Sequence, residues 1–294
     1  MAEVTLARGS LEATFLPEVG MLGVSLRHRG EELLALPGGL DGYRAGSVTG
    51  LPLLAPWANR LGEWRYEVDG VVVDLDGLDL PTDGNGLPIH GTMTAQAGWE
   101  VVHADPAALV ARFDYGARPD LLAPFPFPHT LEIAAALEDD ALAVTTTLTA
   151  TGERGVPVAF GYHPYLRLPG VARADVHLSL PERRHLALDQ RGLPTGVEQE
   201  EPAEDLPVGP RTFDDHYALG ADPRLALTGG GRRVTLEVGA GYRYGQVFAP
   251  PGEEFVCLEP MAATVNALLA GAYPLSRPGA PYTARFRLRV EDTA

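Results

Sequence analysis

The amino-acid sequence predicts an all-β protein, a large antiparallel β-sandwich with very little helix. Three observations support this prediction. About fifteen short runs are β-branched or alternate between apolar and polar residues. The 34 glycines and 26 prolines are scattered between these runs as turn signals. Long amphipathic helices are missing, and the best helix candidate, residues 264–269, covers only one or two turns.

The strands are expected at residues 4–6, 11–15, 22–26, 64–68, 71–75, 99–102, 109–113, 130–137, 142–148, 156–160, 176–180, 233–238, 244–248, 255–258 and 282–290. In the last run, Phe286, Leu288 and Val290 alternate with two arginines, which predicts one apolar and one charged face. Asp69-Gly70 lies between two runs and is a strong hairpin signal. Residues 137–142 resemble a second hairpin.

No shift in composition marks a domain boundary, so we expect residues 1–294 to form a single domain. An all-β sandwich can reach this length as one unit. Residues 190–210 are polar, acidic and contain proline. This composition fits an interdomain linker or a long surface loop on one sandwich, and we favour the loop.

The net charge of −16 comes from 39 acidic and 23 basic residues. A surface this acidic repels nucleic-acid phosphates and anionic lipids, so neither nucleic acid nor a membrane is expected as a partner. Lysine is absent from the chain. Its absence excludes Schiff-base chemistry and a lysine-dependent phosphate loop.

Cys257 is the only cysteine, and it lies in an apolar run, which predicts an inert buried thiol rather than a disulfide or a thiolate metal site. No run approaches the eighteen or so apolar residues of a membrane span. The first residues lack the features of a secretory signal. A cytoplasmic protein is therefore expected.

Several ionisable residues lie beside glycine or proline at expected strand ends, where sites tend to be built. Asn59-Arg60 offers an amide and a guanidinium that could bind sugar hydroxyls. On spacing alone, we favour a surface arginine beside a turn-forming asparagine. His90 precedes a glycine, and His163 precedes Pro164, which favours an extended backbone at His163.

Glu259 ends an apolar run, so it either faces water or is buried with a partner or a shifted pKa. Asp214 and Asp215 precede His216 and an aromatic residue, a pattern that fits a turn or a hydroxyl-binding site. The other histidines are expected at ordinary surface, strand or loop positions: His28, His103, His129, His177 and His185.

Together and in this order, these segments resemble the aldose 1-epimerase (galactose mutarotase) superfamily. The resemblance runs from about residue 50 to residue 270 and rests on Asn59-Arg60-Leu61-Gly62, His90-Gly91, Tyr162-His163-Pro164-Tyr165, Asp214-Asp215-His216-Tyr217 and Leu258-Glu259-Pro260. It implies a galactose mutarotase-like supersandwich whose site lies on a concave face. It also implies a small-molecule sugar as the substrate, and no metal or organic cofactor.

The resemblance implies a role for each matching residue. His163 matches the general acid on the sugar ring oxygen, Glu259 the general base on the anomeric hydroxyl, and His90 a second histidine near the ring oxygen. Together they would open and reclose the ring and so interconvert the α and β anomers.

Asn59 and Arg60 match a pair that holds the sugar. Asp214 is the better match for a substrate-binding aspartate, with Asp215 as the competing choice. The aromatic residues Trp57, Tyr165 and Tyr217 could cover the sugar or belong to the core, and the sequence leaves both open.

The segments differ from galactose mutarotases in two places. Those enzymes usually carry Asn-His-Ser/Thr-Tyr around the second histidine, and a glutamine soon after the glutamate. This chain has Gly161-Tyr162-His163-Pro164-Tyr165 and Glu259-Pro260-Met261-Ala262-Ala263. It therefore resembles the less characterised epimerase-like branches, and the sugar stays open.

Three other hypotheses fit the same residues. The chain could be a sugar-binding or sugar-sensing protein without catalysis, or a hexose-6-phosphate mutarotase with an added cationic patch. A metal-dependent hydrolase or isomerase could use His90, His163 and Glu259 as ligands, although their spacing does not favour it. A monomer and a homodimer are both compatible with the sequence.

Overall fold

A computed structural model describes residues 3–293, which form twenty-five strands and three short α-helices. The strands are β1 (Val4–Arg8), β2 (Leu11–Leu16), β3 (Leu22–His28), β4 (Glu31–Glu32), β5 (Leu53–Leu54), β6 (Arg65–Val68), β7 (Val71–Asp74), β8 (Glu100–Ala104), β9 (Ala108–Asp114), β10 (His129–Leu137), β11 (Ala141–Ala150), β12 (Val156–Pro157), β13 (Gly161–Tyr162), β14 (Tyr165–Leu166), β15 (His177–Leu180), β16 (Arg183–Leu188), β17 (Pro194–Glu201), β18 (Glu204–Pro207), β19 (Phe213–Leu219), β20 (Arg224–Gly229), β21 (Arg232–Val238), β22 (Tyr244–Ala249), β23 (Val256–Met261), β24 (Leu275–Ser276) and β25 (Tyr282–Asp292). The helices are α1 (Gly39–Arg44), α2 (Pro119–Leu122) and α3 (Ala267–Ala270), with 3₁₀ turns at Pro17–Val19, Tyr115–Ala117 and Arg173–Asp175. In this described part of the chain, no helix is long and apolar enough to cross a membrane.

Two large antiparallel sheets dominate the fold. The nine-stranded sheet has the order β18-β15-β20-β21-β25-β11-β10-β9-β8. The eight-stranded sheet has the order β17-β16-β19-β22-β23-β13-β5, with β14 also paired to β23. Strands β1 to β4 form a smaller sheet, and β12-β24 and β6-β7 form two-stranded ribbons.

The core lies between the two large sheets. Tyr162 of the eight-stranded sheet packs on Phe286 of the nine-stranded sheet, with ring centroids 5.1 Å apart. The Tyr162 hydroxyl also lies 2.8 Å from the Thr146 hydroxyl of the opposite sheet. Val247 and Leu258 are fully buried in the same core. Because successive side chains of a strand point to opposite faces, their neighbours Gln246 and Glu259 lie on the outer face of the eight-stranded sheet.

The predicted all-β sandwich is confirmed, and each of the predicted runs contains a strand. Both predicted hairpins form, with Val68 paired to Val71 and Leu137 paired to Leu142. The predicted helix at 264–269 begins only at Ala267, because Asn266 has a left-handed backbone (φ 61°).

The prediction of a surface loop at residues 190–210 is wrong. β17 pairs with β16, and β18 pairs with β15, so this segment supplies an edge strand to each large sheet. β17 is exposed at nearly every residue. An edge strand with two solvated faces has no apolar alternation, which is the signal that identifies a strand from sequence.

Candidate active site

Four side chains stand in a row on the outer face of the eight-stranded sheet. His216 of β19 pairs with Gln246 of β22, and Gln246 pairs with Glu259 of β23. The pairs on either side of His163, in β13 and β14, share one register with β23, and that register places His163 opposite Glu259. Strand pairing therefore unites residues that are up to 96 positions apart in the sequence.

His163 and Glu259 form the centre of this row. His163 Nε2 lies 3.2 Å from Glu259 Oε1, and the two side chains are 7% and 1% exposed. Glu259 Oε1 is buried and has no hydrogen-bond donor among the described residues, so this contact is not a hydrogen bond. His163 Nδ1 and His90 Nδ1 are likewise buried and without a partner. Three unpaired polar atoms in one buried cluster are costly, and a polar ligand could satisfy them.

Burial sets the protonation of this cluster. It raises the pKa of Glu259 well above its usual value, and the nearby Asp214 adds to this rise while Arg60 opposes it. Burial lowers the pKa of His163. The pKa of His90 is also well below its usual value, because of burial and then the neighbouring His163 and Arg60. Both shifts disfavour the charged forms, so burial favours a protonated Glu259 carboxyl beside a neutral His163 ring.

His90 reaches the cluster from a loop packed against residues 55–60. The His90 amide donates to Asn59 O at 3.0 Å, and its ring lies edge-on to His163 with centroids 5.8 Å apart. Asn59 and His90 both have positive φ, at 57° and 62°. Such backbone conformations are unusual outside glycine and occur often at functional sites. Asn59 is buried, whereas His90 keeps partial contact with solvent.

Arg60 is held by two carboxylates. Its Nε donates to Asp83 Oδ2 at 2.8 Å, and its NH2 group lies 3.4 Å from Asp214 Oδ2. The side chains of Asp83 and Arg60 are 6% and 15% exposed, so this ion pair is largely buried. The guanidinium is therefore fixed in place beside the cluster rather than free at the surface.

The sheet register separates Asp214 from Asp215. Asp214 pairs with Phe248, whose ring contacts His163, so Asp214 lies on the face that carries the cluster. Asp215 pairs with the core residue Val247 and lies 3.2 Å from His185 Nε2 on the other face. Asp214 is thus the carboxylate that contacts Arg60 and acts on Glu259, whereas Asp215 borders the same cleft beside His185.

The aromatic residues are placed differently from one another. Trp57 is 1% exposed and Tyr217 is 2% exposed, and both belong to the main core, so neither presents a face to a ligand. Tyr165 stacks on His163 with centroids 4.6 Å apart. Phe248 meets His163 edge-on and is partly exposed, which makes it the apolar side chain beside the cluster.

Sequence reasoning missed Asp83, Gln246 and Phe248. Asp83 lies in a polar turn, and nothing in its sequence neighbourhood indicates an arginine partner. Gln246 and Phe248 alternate with core residues in β22, and this alternation could have indicated their shared face. Among residues 3–293, no three His, Cys, Asp or Glu side chains are arranged to hold a metal ion. The cluster places a carboxyl group and two imidazoles beside an arginine and an aspartate.

Comparisons with known proteins identify the family and the fold. The family model described as aldose 1-epimerase matches residues 3–289. A galactose mutarotase-like protein from Clostridium acetobutylicum superposes with a TM-score of 0.85 at 20% identity, over 98% of this chain and 95% of that one. The galactose 1-epimerase from Lactobacillus acidophilus NCFM superposes with a TM-score of 0.78 at 15% identity, over 99% of this chain and 95% of that one. The GalM/aldose epimerase homologue from C. elegans superposes with a TM-score of 0.80 at 16% identity, over 100% of this chain and 99% of that one. No curated protein matches the sequence significantly. These structural likenesses show the fold, and the family match shows that the chain belongs to the aldose 1-epimerase family.

Proposed function

We propose that the chain is an aldose 1-epimerase that interconverts the α and β anomers of an aldose through ring opening and reclosure. The observation that carries this proposal is the buried pair of Glu259 Oε1 and His163 Nε2, 3.2 Å apart. A protein that only bound sugar would have no need for a base and an acid at one buried point, where ionisable groups are costly.

The proposed reaction conserves protons. The Glu259 carboxylate takes the proton of the C1 hydroxyl, the C1–O5 bond breaks as the C1 carbonyl forms, and His163 delivers its proton to O5. Rotation about C1–C2 then presents the other carbonyl face. On closure, His163 takes the proton back from O5 as O5 attacks C1, and Glu259 returns its proton to the carbonyl oxygen.

Burial strengthens each group in its role. A carboxylate whose pKa is raised is a stronger base, and an imidazolium whose pKa is lowered is a stronger acid. The ionised pair that starts the reaction is costly to desolvate, but each charge stabilises the other at this short distance.

We propose that the remaining residues bind the sugar. Arg60, which Asp83 fixes, would donate to a hydroxyl, and Asp214 would accept from one. His90 would lie near the ring oxygen, where its unpaired Nδ1 is available. Asn59 would hold the His90 loop and the sugar from one side.

The test is anomer exchange, followed by polarimetry or by NMR with D-galactose as the probe. Glu259→Gln and His163→Gln should each slow exchange by about 10² to 10⁴, the usual contribution of one proton-transfer group. Glu100→Gln, an exposed glutamate of β8, is the matched control and should retain the wild-type rate. Circular dichroism checks that each variant is folded. Unchanged exchange in Glu259→Gln would refute the role of Glu259, and sugar binding without exchange in the wild type would favour a sugar-binding protein.

We also propose that residues 1–294 act as a single domain, because one hydrophobic cluster extends from Leu6 to Val290. A cytoplasmic location is proposed from the sequence, which has one cysteine and therefore no disulfide framework.

A further inference from the structure

A chain of hydrogen bonds runs from the sheet interior to Asp214. Gln246 Nε2 donates to Asp214 Oδ1 at 2.7 Å, and Gln246 Oε1 lies 3.0 Å from His216 Nδ1. His216 Nε2 lies 3.2 Å from the Thr264 hydroxyl. His216 and Gln246 are 0% and 1% exposed, whereas the Asp214 side chain is 48% exposed. The chain therefore ends at a carboxylate that a ligand can reach.

The Asp214 carboxylate fixes the donor and the acceptor of every hydrogen bond in this series. A carboxylate accepts hydrogen bonds, so Gln246 must turn its amide nitrogen to Asp214 and its carbonyl oxygen to His216. His216 Nδ1 must then carry the hydrogen, and Nε2 accepts from the Thr264 hydroxyl. Burial lowers the pKa of His216 to about 4, which keeps the ring neutral near pH 7 with a single N–H.

Among the described residues beside Asp214, both arginines are paired with carboxylates. The Arg60 guanidinium is shared between Asp83 and Asp214, so one positive charge faces two negative ones. Beside them lies a cleft of about 430 Å³. The other arginine of this cleft, Arg191, lies 3.7 Å from the carboxylate of Asp189. A phosphate has no strong donor to offer Asp214 and would be repelled there.

We propose that Thr264, His216 and Gln246 are positioning residues that hold Asp214 as a fixed acceptor for a sugar hydroxyl. The substrate class that this arrangement selects is a neutral aldose, and a sugar phosphate is disfavoured. This inference rests on the proposed function for its substrate, but the hydrogen-bonded chain can be tested without activity.

The ring tautomer of His216 is the first test. Long-range ¹H–¹⁵N NMR spectra of the labelled protein distinguish an Nδ1–H ring from an Nε2–H ring, and the spectrum of His216→Asn identifies the His216 signals by their loss. The Nδ1–H form is expected at pH 7. An Nε2–H ring or an imidazolium at that pH would overturn the proposed hydrogen-bond direction, and this result does not depend on whether the protein shows activity.

An isosteric pair of variants is the second test. Asn at position 216 can place an amide donor where His216 Nδ1 lies, whereas Asp places an acceptor there and would turn the Gln246 amide away from Asp214. With D-galactose, we expect the KM of His216→Asn to stay within about threefold of wild type. The KM of His216→Asp should rise about tenfold or more, with a smaller change in kcat, because a hydrogen bond to a charged group is lost.

His103→Asp, at an exposed position of β8, controls for the added charge and should leave KM unchanged. If His216→Asp does not fold, Gln246→Met removes the donor to Asp214 without adding charge and should raise KM by a similar factor. Equal KM values in the two His216 variants, or no effect in Gln246→Met, would contradict the positioning role.

The substrate class has its own test. The kcat/KM for D-galactose 6-phosphate should be at least about tenfold below that for D-galactose, and Asp214→Asn should narrow this difference. A wild-type preference for the phosphate would overturn the assignment. If no sugar shows catalysed exchange, the proposed function fails. The tautomer of His216 still decides whether the hydrogen bonds from Thr264 to Asp214 run in the proposed direction.

Discussion

Gly91 lies where the loop that carries His90 packs against the segment 55–60. Gly91→Ala tests this contact between the two segments. Gly91 has φ 67°, a conformation that costs an L-residue about 1–2 kcal/mol. An added Cβ would overlap the Ala55 oxygen and lie 2.5 Å from its carbonyl carbon and 2.8 Å from Pro56 N. The Ala55 oxygen accepts from the amides of Thr92 and Met93, so the loops must separate. Overpacking adds about 1–3 kcal/mol, which gives a total loss of about 2–5 kcal/mol.

Gly30→Ala is the matched control, because Gly30 has φ 81° but nothing within 4 Å of its Cβ position. Gly30→Ala should lower the free energy of unfolding only by the cost of the positive φ, about 1–2 kcal/mol. Urea unfolding of both variants and the wild type measures the difference. Gly91→Ala should also lose anomer exchange, since His90 follows the displaced loop. Equal losses of stability in the two variants would refute the reasoning.

Three further predictions concern ionisable groups. The raised pKa of Glu259 means that the contribution of this carboxyl to stability falls as pH rises above 4.5 towards its folded pKa, by up to about 1.4 kcal/mol per pH unit. Glu259→Gln should match the wild type in urea unfolding at pH 4 and exceed it at pH 8; parallel curves at both pH values would contradict this. The kcat/KM profile should be flat from pH 6.5 up to the raised pKa of Glu259, because the pair of Glu259 and His163 holds one proton over that range. A change centred at the ordinary histidine pKa would contradict the lowered pKa of His163. Asp214→Asn should raise the KM for D-galactose about tenfold, whereas Asp215→Asn should change it less than threefold, and similar KM values would mean that the two carboxylates do not lie on opposite faces.

Much of the fold follows from local patterns. The alternation of Phe286, Leu288 and Val290 reflects one buried and one exposed face, and the Asp69-Gly70 dipeptide makes the turn that its backbone preferences predict. The strands in the segment 190–210 could not be predicted in this way. They are solvated on both faces or carry too few apolar residues to show an alternation of apolar and polar side chains.

The sequence by itself determined the strand-rich sandwich, its hairpins and the short motifs that resemble one enzyme family. Only the tertiary structure decided which ionisable groups share a surface. Asp214 and Asp215 are adjacent in the chain, yet strand register sends one to the cluster and the other to the opposite face. The same register buries Tyr217 and brings Gln246 beside Glu259. The physical reason is that side chains alternate along a strand, so a face is assigned only when the partners across the sheet are known.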